Sequence, residues 1–331
     1  MNWSLFQERL TQAHRILISA HTKIDGDGLG SEFALYHALK YLGYDVTVLN
    51  PDPLPASFQF IGSDFTLARH VTPEFMATEL SQYDTLIAVD VSSENQLRGV
   101  FPITQAPHLQ TLVIDHHAVG EQPSPFMFTD ATAPAAGTLV MELLQFLNVP
   151  LDYRAPEATL SIAEYLFFAI ATDTGWFRFP SVKPETFQQA AELTRMGVVP
   201  ARLYVFAYES YSPARIKLLG IVASNVQYLH DGRVAYSWIR YSDFQQLDAP
   251  YSETTDLVNS MLMTAGVQVV ALFCEMADSV RMNFRSRSDF NVAELARSLG
   301  GGGHIKAAGA TLPGTLEEVR PHVLDEIGKR A

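Results

Sequence analysis

The pattern of apolar and polar positions divides the chain into two parts. In the first part, short and almost purely apolar runs alternate with longer stretches that carry apolar residues at helical spacing. The runs predict strands at 14–20, 44–49, 85–89 and 111–114. The longer stretches predict helices at 27–41, 135–147, 157–172 and 184–196. Short continuous apolar strands are typical of a parallel sheet that is covered on both faces.

The second part has more strands and fewer helices. The pattern predicts strands at 226–229, 233–239, 267–274 and 279–284, with helices at 253–263 and 292–299. We therefore expect an α/β protein with a mostly parallel N-terminal sheet flanked by helices. A smaller C-terminal α/β domain with a mixed sheet should follow, and the active site should lie in the interdomain cleft.

The length of 331 residues suits two domains. We expect the first domain to span residues 1–196 and the second to span residues 226–331. Between them, residues 197–225 contain enough apolar positions to predict a helical linker that packs against its neighbours.

Composition limits the class of partner. The formal net charge of −13 argues against a protein that binds long duplex nucleic acid, because such binding needs a basic surface. A single cysteine, Cys274, allows no disulfide within the chain, which favours the cytoplasm. The N-terminus lacks a signal-peptide pattern, and no apolar run reaches the roughly 20 residues of a membrane span. We therefore expect no membrane association.

Aspartate and histidine residues follow the apolar runs of the first part. The candidates are His21, Asp25, Asp27, Asp90, Asp115, His116, His117 and Asp173. In an open parallel sheet the carboxyl ends of the strands share one crevice, where ligands bind. Aspartate and histidine without cysteine suit manganese or magnesium ions. Together these residues predict a phosphoesterase with two metal ions.

Each candidate also has an ordinary structural explanation. Asp25 and Asp27 lie in a glycine-rich segment that is typical of a turn and a helix N-cap, and Asp90 could be a solvated acid at a strand end. His116 and His117 are adjacent and should point in different directions, so that one binds metal while the other meets substrate. Asp115 could then accept a hydrogen bond from an imidazole N–H.

The second part contains a candidate phosphate-binding segment. Arg285 and Ser286 end a predicted strand, and a glycine run that includes Gly302 and Gly303 leads to His304. Arginine can clamp a phosphate with two parallel hydrogen bonds, and glycine-rich backbone can offer N–H groups. The alternative for the glycine run is a flexible hinge.

Taken in order, these motifs resemble those of the DHH superfamily of phosphoesterases, in the branch with a DHH-associated C-terminal domain. The resemblance covers about residues 10–312 and is strongest to the group of bifunctional oligoribonucleases (nanoRNases) and pAp phosphatases. It implies that one Mn²⁺ is held by His21, Asp25 and Asp90. It implies a second Mn²⁺ held by Asp27, Asp90, His116 and Asp173.

The resemblance also implies catalytic roles. Asp90 would bridge the ions, His117 would face the scissile phosphate, and Asp115 would support the histidines. Substrate would be bound by Arg285, Ser286, Gly302, Gly303 and His304. Mg²⁺ or Co²⁺ could substitute for manganese.

The implied activity is hydrolysis of short oligoribonucleotides to mononucleotides, and of the 3′-phosphate of the nucleoside 3′,5′-bisphosphate pAp, by a hydroxide bridging the metals. Two alternatives stay open: a phosphodiesterase for cyclic or linear dinucleotides such as cyclic di-AMP and pApA, and a metal-bound nucleotide sensor without catalysis. A homodimer is compatible with each of these functions. Trp176, Phe177 and Phe284 are aromatic residues near the motifs that either stack on a base or belong to the core.

Overall fold

The computed structural model describes residues 1–91, 93–117, 126–209 and 211–330. The chain forms two compact units, Met1–Ser210 and Tyr211–Ala331. The segment predicted as a linker, 197–225, holds one helix at the end of the first unit and one at the start of the second. Among the described residues, no helix has the length and apolar character that crossing a membrane requires.

The first unit is built on a six-stranded sheet in the order β3-β2-β1-β4-β5-β6. Its strands are β1 (Arg15–Ser19), β2 (Asp45–Asn50), β3 (Arg69–His70), β4 (Thr85–Val89), β5 (Gln110–Asp115) and β6 (Phe126–Thr129). Every neighbouring pair in this sheet is parallel. The central strands β1, β4 and β5 are almost entirely buried, which confirms the expected parallel sheet covered on both faces.

Helices cover both faces of this sheet. They are α1 (Trp3–Thr11), α2 (Gly26–Tyr41), α3 (Ser63–Leu67), α4 (Pro73–Thr78), α5 (Glu94–Leu97), α6 (Phe101–Thr104), α7 (Ala136–Phe146), α8 (Ile162–Asp173), α9 (Pro184–Arg195) and α10 (Pro200–Tyr208). Short 3-10 helices lie at Ala56–Ile61, Leu80–Gln82 and Arg98–Val100.

The second unit contains a mixed six-stranded sheet in the order β11-β12-β10-β9-β8-β7. Its strands are β7 (Gln227–Leu229), β8 (Val234–Ile239), β9 (Val269–Glu275), β10 (Ser279–Ser286), β11 (Gly302–His304) and β12 (Ala307–Pro313). Its helices are α11 (Pro213–Asn225), α12 (Tyr241–Leu247), α13 (Val292–Ser298) and α14 (Leu316–Gly328). Only the β8–β9 pair is parallel among the described pairs, so the predicted mixed sheet is confirmed.

Two predicted helices are wrong in whole or in part. The helix predicted at 253–263 is replaced by two 3-10 segments, Tyr251–Thr254 and Leu257–Met263, because Asp256 between them adopts a left-handed conformation with φ +62°. The helix predicted to begin at 157 begins at Ile162 instead. Ser161 and Glu164 form a capping box that fixes this start.

The core of the first unit depends on close contact between α2 and α8. Helix α2 is buried on nearly all sides, and glycine at two of its positions lets α8 come near. A Cβ atom on Gly30 would lie 2.5 Å from the Tyr165 carbonyl oxygen and 2.9 Å from the Ala169 backbone nitrogen. A Cβ atom on Gly26 would collide with the side chain of Thr172. The two helices therefore touch backbone to backbone.

This contact predicts a specific cost for one added methyl group. Gly30→Ala should lower the free energy of unfolding of the first unit by about 1–3 kcal/mol, because the obstacle is backbone that cannot rotate away. Gly220→Ala is the matched control, since Gly220 lies within helix α11 and a Cβ there would meet nothing within 4 Å. That control should stabilise the second unit by about 0.5–1 kcal/mol. Urea unfolding monitored by circular dichroism measures both effects, and an unchanged transition in Gly30→Ala would disprove the close contact.

Candidate metal centre

The candidate site lies where the topology of the first sheet reverses. Strands β2 and β3 extend to one side of β1, whereas β4, β5 and β6 extend to the other. In such sheets the crevice outside the carboxyl ends of the strands at this point is the usual ligand site. His21 lies two residues after β1, Asp90 directly follows β4, and His116 directly follows β5.

Helix α2 supplies two carboxylates from its first residues. Asp25 is the N-cap, and its Oδ1 accepts hydrogen bonds from Asp27 N at 3.0 Å and Gly28 N at 3.1 Å. Asp27 reaches across to the start of α7, where its carboxylate accepts Ala136 N at 2.6 Å and Gly137 N at 2.9 Å. The partial positive charge of this helix N-terminus stabilises and fixes a buried carboxylate.

Asp90 occupies the middle of the site. Its Oδ2 lies 3.3 Å from His21 Nε2, whereas its Oδ1 lies 3.6 Å from His116 Nε2. The residue itself has φ +56°, a left-handed conformation that aspartate adopts more readily than most residues do. Asp90 Oδ1 is buried and has no hydrogen-bond partner among the described residues. A buried carboxylate oxygen left in this way is explained by a cation that binds there.

Two histidines present the same ring nitrogen to the carboxylates. His21 Nδ1 lies 2.8 Å from the Thr22 carbonyl oxygen, and His116 Nδ1 lies 3.3 Å from the Ala133 carbonyl oxygen. A carbonyl oxygen only accepts, so each Nδ1 carries the proton in the neutral ring. Nε2 then holds a lone pair, which is the form that binds a metal ion.

His117 is arranged differently from His116. Its Nδ1 lies 2.8 Å from Asp115 Oδ1 and 3.5 Å from Asp90 Oδ1. The side chain of His117 is 43% exposed, against 13% for His116. The expectation that Asp115 supports both histidines therefore needs correction, because in extended chain residues i and i+2 point to the same side whereas i and i+1 do not. The Ala133 carbonyl orients His116 instead.

Asp173 closes the site from the end of α8. Its Oδ2 lies 3.4 Å from His116 Nε2. Two positions after Asp173, three consecutive residues have positive φ: Gly175 at +56°, Trp176 at +56° and Phe177 at +64°. For the two aromatic residues this conformation costs about 1–2 kcal/mol each. The chain therefore turns away from α8 in a strained bend directly beside Asp173.

The carboxylates repel one another in the absence of a cation. Burial, followed by the charges of Asp90, Asp173 and Asp25, raises the pKa of Asp27 well above its usual range. Burial also raises the pKa of Asp173 to about 6, with His116 opposing the shift and Asp25 and Asp90 adding to it. Burial is the first cause of both shifts, and repulsion from neighbouring carboxylates adds to it.

The histidines respond in the opposite direction. Burial lowers the pKa of His21, but hydrogen bonds to Asp25 and Asp90 outweigh it and raise the pKa to about 11. The hydrogen bond to Asp115 raises the pKa of His117. A proton on His21 Nε2 would occupy the position of a bound metal ion. Protonation of His21 and metal binding would therefore compete.

The donor atoms form three groups, and within each group the atoms lie within 4.8 Å of one another. The groups are His21, Asp25 and Asp90; Asp27, His116 and Asp173; and Asp90, His116 and His117. Carboxylate oxygens with imidazole nitrogens suit divalent cations such as manganese. The residues present therefore fit the metal chemistry that the sequence predicts, and all six proposed ligands lie in one cluster.

Sequence inspection missed the backbone groups that hold this cluster. The Ala133 carbonyl and the N–H groups of Ala136 and Gly137 fix His116 and Asp27, yet a backbone group has no residue type to recognise. The small residues at the start of α7 were the available signal. A Cβ on Gly137 would lie 2.5 Å from Ala169 Cβ, so glycine lets the start of α7 come close to α8.

The predicted phosphate-binding residues lie together in the second unit. Arg285 pairs with Ala307 across β10 and β12, and Ala307 pairs with His304 across β12 and β11. The two residues are thus two strands apart, or about 10 Å. Arg285 Nη2 lies 3.4 Å from the exposed Asp256 carboxylate. The His304 side chain lies outside the described part of the structure.

The neighbouring residues have structural tasks. Ser286 is buried, and its hydroxyl donates to the Ser288 carbonyl oxygen at 3.0 Å. Gly302 and Gly303 form part of the strand β11, and a Cβ on Gly303 would lie 2.6 Å from the Ala307 carbonyl oxygen. Because β11 is an edge strand, part of its backbone faces away from β12.

Comparison with known proteins identifies the family. Residues 15–170 match the DHH family, N-terminal domain, and residues 231–331 match the DHHA1 domain. The bifunctional oligoribonuclease and PAP phosphatase NrnA of Thermus thermophilus is 30% identical over 94% of this chain and 89% of its own. The chain belongs to the DHH family. Membership confirms the predicted enzyme class, a hydrolase of phosphodiester or phosphate bonds.

Two further comparisons bear on this DHH protein. The cyclic-di-AMP phosphodiesterase GdpP of Bacillus subtilis is 26% identical over 97% of this chain, which spans 49% of GdpP. The crystal structure of an exopolyphosphatase-related protein from Bacteroides fragilis superimposes with a TM-score of 0.88 at 24% identity, covering 99% of this chain and 95% of the other. The structural match confirms the α/β fold of the whole chain.

The central position of Asp90 predicts how metal binding responds to its loss. Asp90→Asn keeps the shape of the side chain and tolerates positive φ, but it removes the charge that both donor groups share. Affinity for Mn²⁺ should fall by about 100-fold or more, as measured by titration calorimetry on chelator-treated protein. Asp45→Asn is the matched control, since Asp45 is exposed at the start of β2, the opposite end of the sheet. Equal affinity in Asp90→Asn and wild type would remove Asp90 from the metal centre.

Proposed function

We propose that this DHH protein is a manganese-dependent phosphoesterase that hydrolyses short oligoribonucleotides to mononucleotides and removes the 3′-phosphate of pAp. The observation that carries the proposal is the position of Asp90, whose two oxygens face two different groups of histidine and aspartate side chains. A carboxylate placed in this way is suited to bridge two ions. The names of the NrnA relatives support the substrates.

The proposed ligands divide between the two ions. One would be held by His21, Asp25 and Asp90, and the other by Asp27, Asp90, His116 and Asp173. When bound, the ions lower the pKa of a coordinated water and neutralise charge on the phosphate. The N–H groups of Ala136 and Gly137 hold the Asp27 carboxylate in place, and the carbonyls of Thr22 and Ala133 hold both histidine rings in the binding tautomer.

His117 is proposed to act on the substrate. Asp115 holds its Nδ1, which leaves Nε2 for an oxygen of the scissile phosphate. The greater exposure of His117 compared with His116 supports this assignment. Its imidazolium form, favoured by Asp115, would donate a hydrogen bond to the phosphate oxygen and stabilise charge there.

We propose that the second unit binds the remaining phosphates of the substrate through Arg285, with Ser286, Gly302, Gly303 and His304 shaping the site. The register that places Arg285 and His304 on either side of Ala307 supports a joint role. The chain has a net charge of −13, so a long polyanion would be repelled over most of its surface. A substrate of a few nucleotides suits a local binding site and a cytoplasmic enzyme.

The function is tested by comparing kcat/KM across substrates that share one chemistry. We expect Mn²⁺-dependent release of mononucleotides from RNA of two to about five nucleotides, and of phosphate from pAp. Activity on cyclic di-AMP should be at least about 10-fold lower. An absence of turnover on both short RNA and pAp, in protein that binds Mn²⁺, would reject the proposal.

A second function is favoured by one comparison. Similarity to GdpP extends over almost the whole chain, so hydrolysis of cyclic di-AMP or of its linear product is the alternative substrate class. The same panel decides between them, because preference for the cyclic dinucleotide over RNA dimers would favour this alternative. Binding without turnover of any member would favour the nucleotide sensor.

The separate roles of the adjacent histidines give a further prediction. His117→Ala should lower kcat on an RNA dimer by about 100-fold or more and leave the Mn²⁺ content unchanged by elemental analysis. His116→Ala should lose Mn²⁺ as well. His108→Ala is the control. His108 is exposed and precedes the first residue of β5, at the end of the strand away from His116, so this variant should behave as wild type. Loss of metal from His117→Ala alone would exchange the two roles.

A further inference from the structure

The bend that follows Asp173 is held by its own hydrogen bonds. The Thr174 carbonyl oxygen accepts Arg178 N at 2.9 Å and Phe179 N at 3.1 Å. Arg178 Nε donates to the Gly175 carbonyl oxygen at 2.7 Å. These contacts close the segment on itself, so that Phe179 is brought back toward the end of α8. The bend is therefore a defined structure and keeps Phe179 at a fixed place beside the proposed ligand Asp173.

Gly175 provides the seat for the Phe179 ring. A Cβ on Gly175 would lie 2.6 Å from Phe179 Cζ and 2.7 Å from Phe179 Cε1, so the tip of the ring fills the space that a side chain would need. Gly175 is two residues from Asp173, which places their Cα atoms at most about 7.6 Å apart. The Phe179 side chain is nevertheless 49% exposed. An anchored aromatic ring thus stands open to solvent next to the metal centre.

The aromatic residues that the sequence singled out pack against other parts of the protein. Trp176 packs edge-on against Tyr204 at 4.9 Å between ring centroids, and Phe177 stacks on Phe187 at 5.6 Å. Phe284 is fully buried in the core of the second unit. These three were the aromatic residues that the sequence singled out, and the structure gives each of them a packing role. Phe179 differs from them because much of its ring is free.

From this geometry we propose that Phe179 stacks on the base of the nucleotide whose phosphate is bound at the metal centre. The inference rests on the proposed function, since it needs a nucleotide substrate. A ring seated one nucleotide's reach from Asp173 can hold a base while the phosphate meets the metal ligands. Stacking accepts every base, so Phe179 would select for nucleotides over simple phosphate esters without selecting a sequence.

Arg178 adds to the same subsite. Its Nε is used by Gly175, but its guanidinium is exposed and forms no ion pair with a described carboxylate at the distances typical of salt bridges. A positive charge next to an exposed ring suits a ligand that has both an anionic phosphate and a flat base.

The test compares RNA dimers that retain or lack a base. Wild-type enzyme is assayed on the RNA dinucleotide ApA and on the two abasic dinucleotides that lack either the first or the second adenine. We expect Phe179→Ala to lower kcat/KM for the intact dimer by about 5- to 100-fold and to leave one of the abasic dimers nearly unaffected. Phe179→Trp should restore the preference for the base, because its ring also stacks.

Phe146→Ala is the matched control. Phe146 is 40% exposed, and it ends helix α7, whose other end holds Asp27. Ten residues along a helix place it about 15 Å from that end, so its loss should leave all three rates unchanged.

The outcomes separate this inference from the function on which it rests. A wild-type enzyme that cleaves none of the dimers would reject the proposed hydrolysis of short RNA. A wild-type enzyme that cleaves the intact dimer, with Phe179→Ala losing equally on all three dimers or losing nothing, would reject the stacking role alone. Failure of Phe179→Trp to recover the preference would also reject the stacking role. The shape of the phenylalanine side chain, and not its ability to stack, would then explain the preference for the base.

Discussion

The metal centre depends on how closely α2 approaches α8. Asp27 lies in the first turn of α2 and Asp173 is the last residue of α8, so the distance between these helices sets the distance between the two carboxylates. Gly26 and Gly30 allow contact at the level of the backbone, and the start of α7 packs onto Ala169 through Gly137. Larger residues at these positions would hold α2 and α8 farther apart, and Asp27 and Asp173 with them.

The packing creates an electrostatic problem that the fold only partly solves. Backbone N–H groups stabilise Asp25 and Asp27, and carbonyl oxygens fix the rings of His21 and His116. The fold provides no such donor for Asp90 Oδ1 among the described residues. The protein thus arranges its dipoles around the edge of the cluster and leaves the centre for an external positive charge. This division is typical of a preorganised site, in which the protein groups are already in position before a cation binds.

Much of this arrangement could be predicted from the sequence. Buried parallel strands are almost purely apolar, so the ends of β1, β4 and β5 could be predicted, and the structure brings the residues that follow them together in one cluster. The partners of those residues were not visible, because Ala133, Ala136 and Gly137 act through their backbone. The helix predicted at 253–263 failed for a related reason. A left-handed Asp256 is a local conformation that its residue type permits but does not require.

The exposure of Phe179 also could not be predicted from the sequence. The sequence singled out Trp176, Phe177 and Phe284, whereas the positions of neighbouring side chains show that Trp176 and Phe177 pack on other rings and that Phe179 is exposed. Exposure is a property of the assembled unit. Residue type alone fixes the chemistry that a side chain can perform, whereas the bend at Gly175 decides whether a ligand can reach it.

The contact between α2 and α8 has a consequence for the evolution of this chain. At position 26 the obstacle to a larger residue is the side chain of Thr172, so a substitution there can be compensated by a smaller residue at 172. At position 30 the obstacle includes the Tyr165 carbonyl and the Ala169 backbone nitrogen, which no substitution can trim. Two glycines one helical turn apart are therefore under different constraints: the first can drift together with a partner, whereas the second has no partner to drift with.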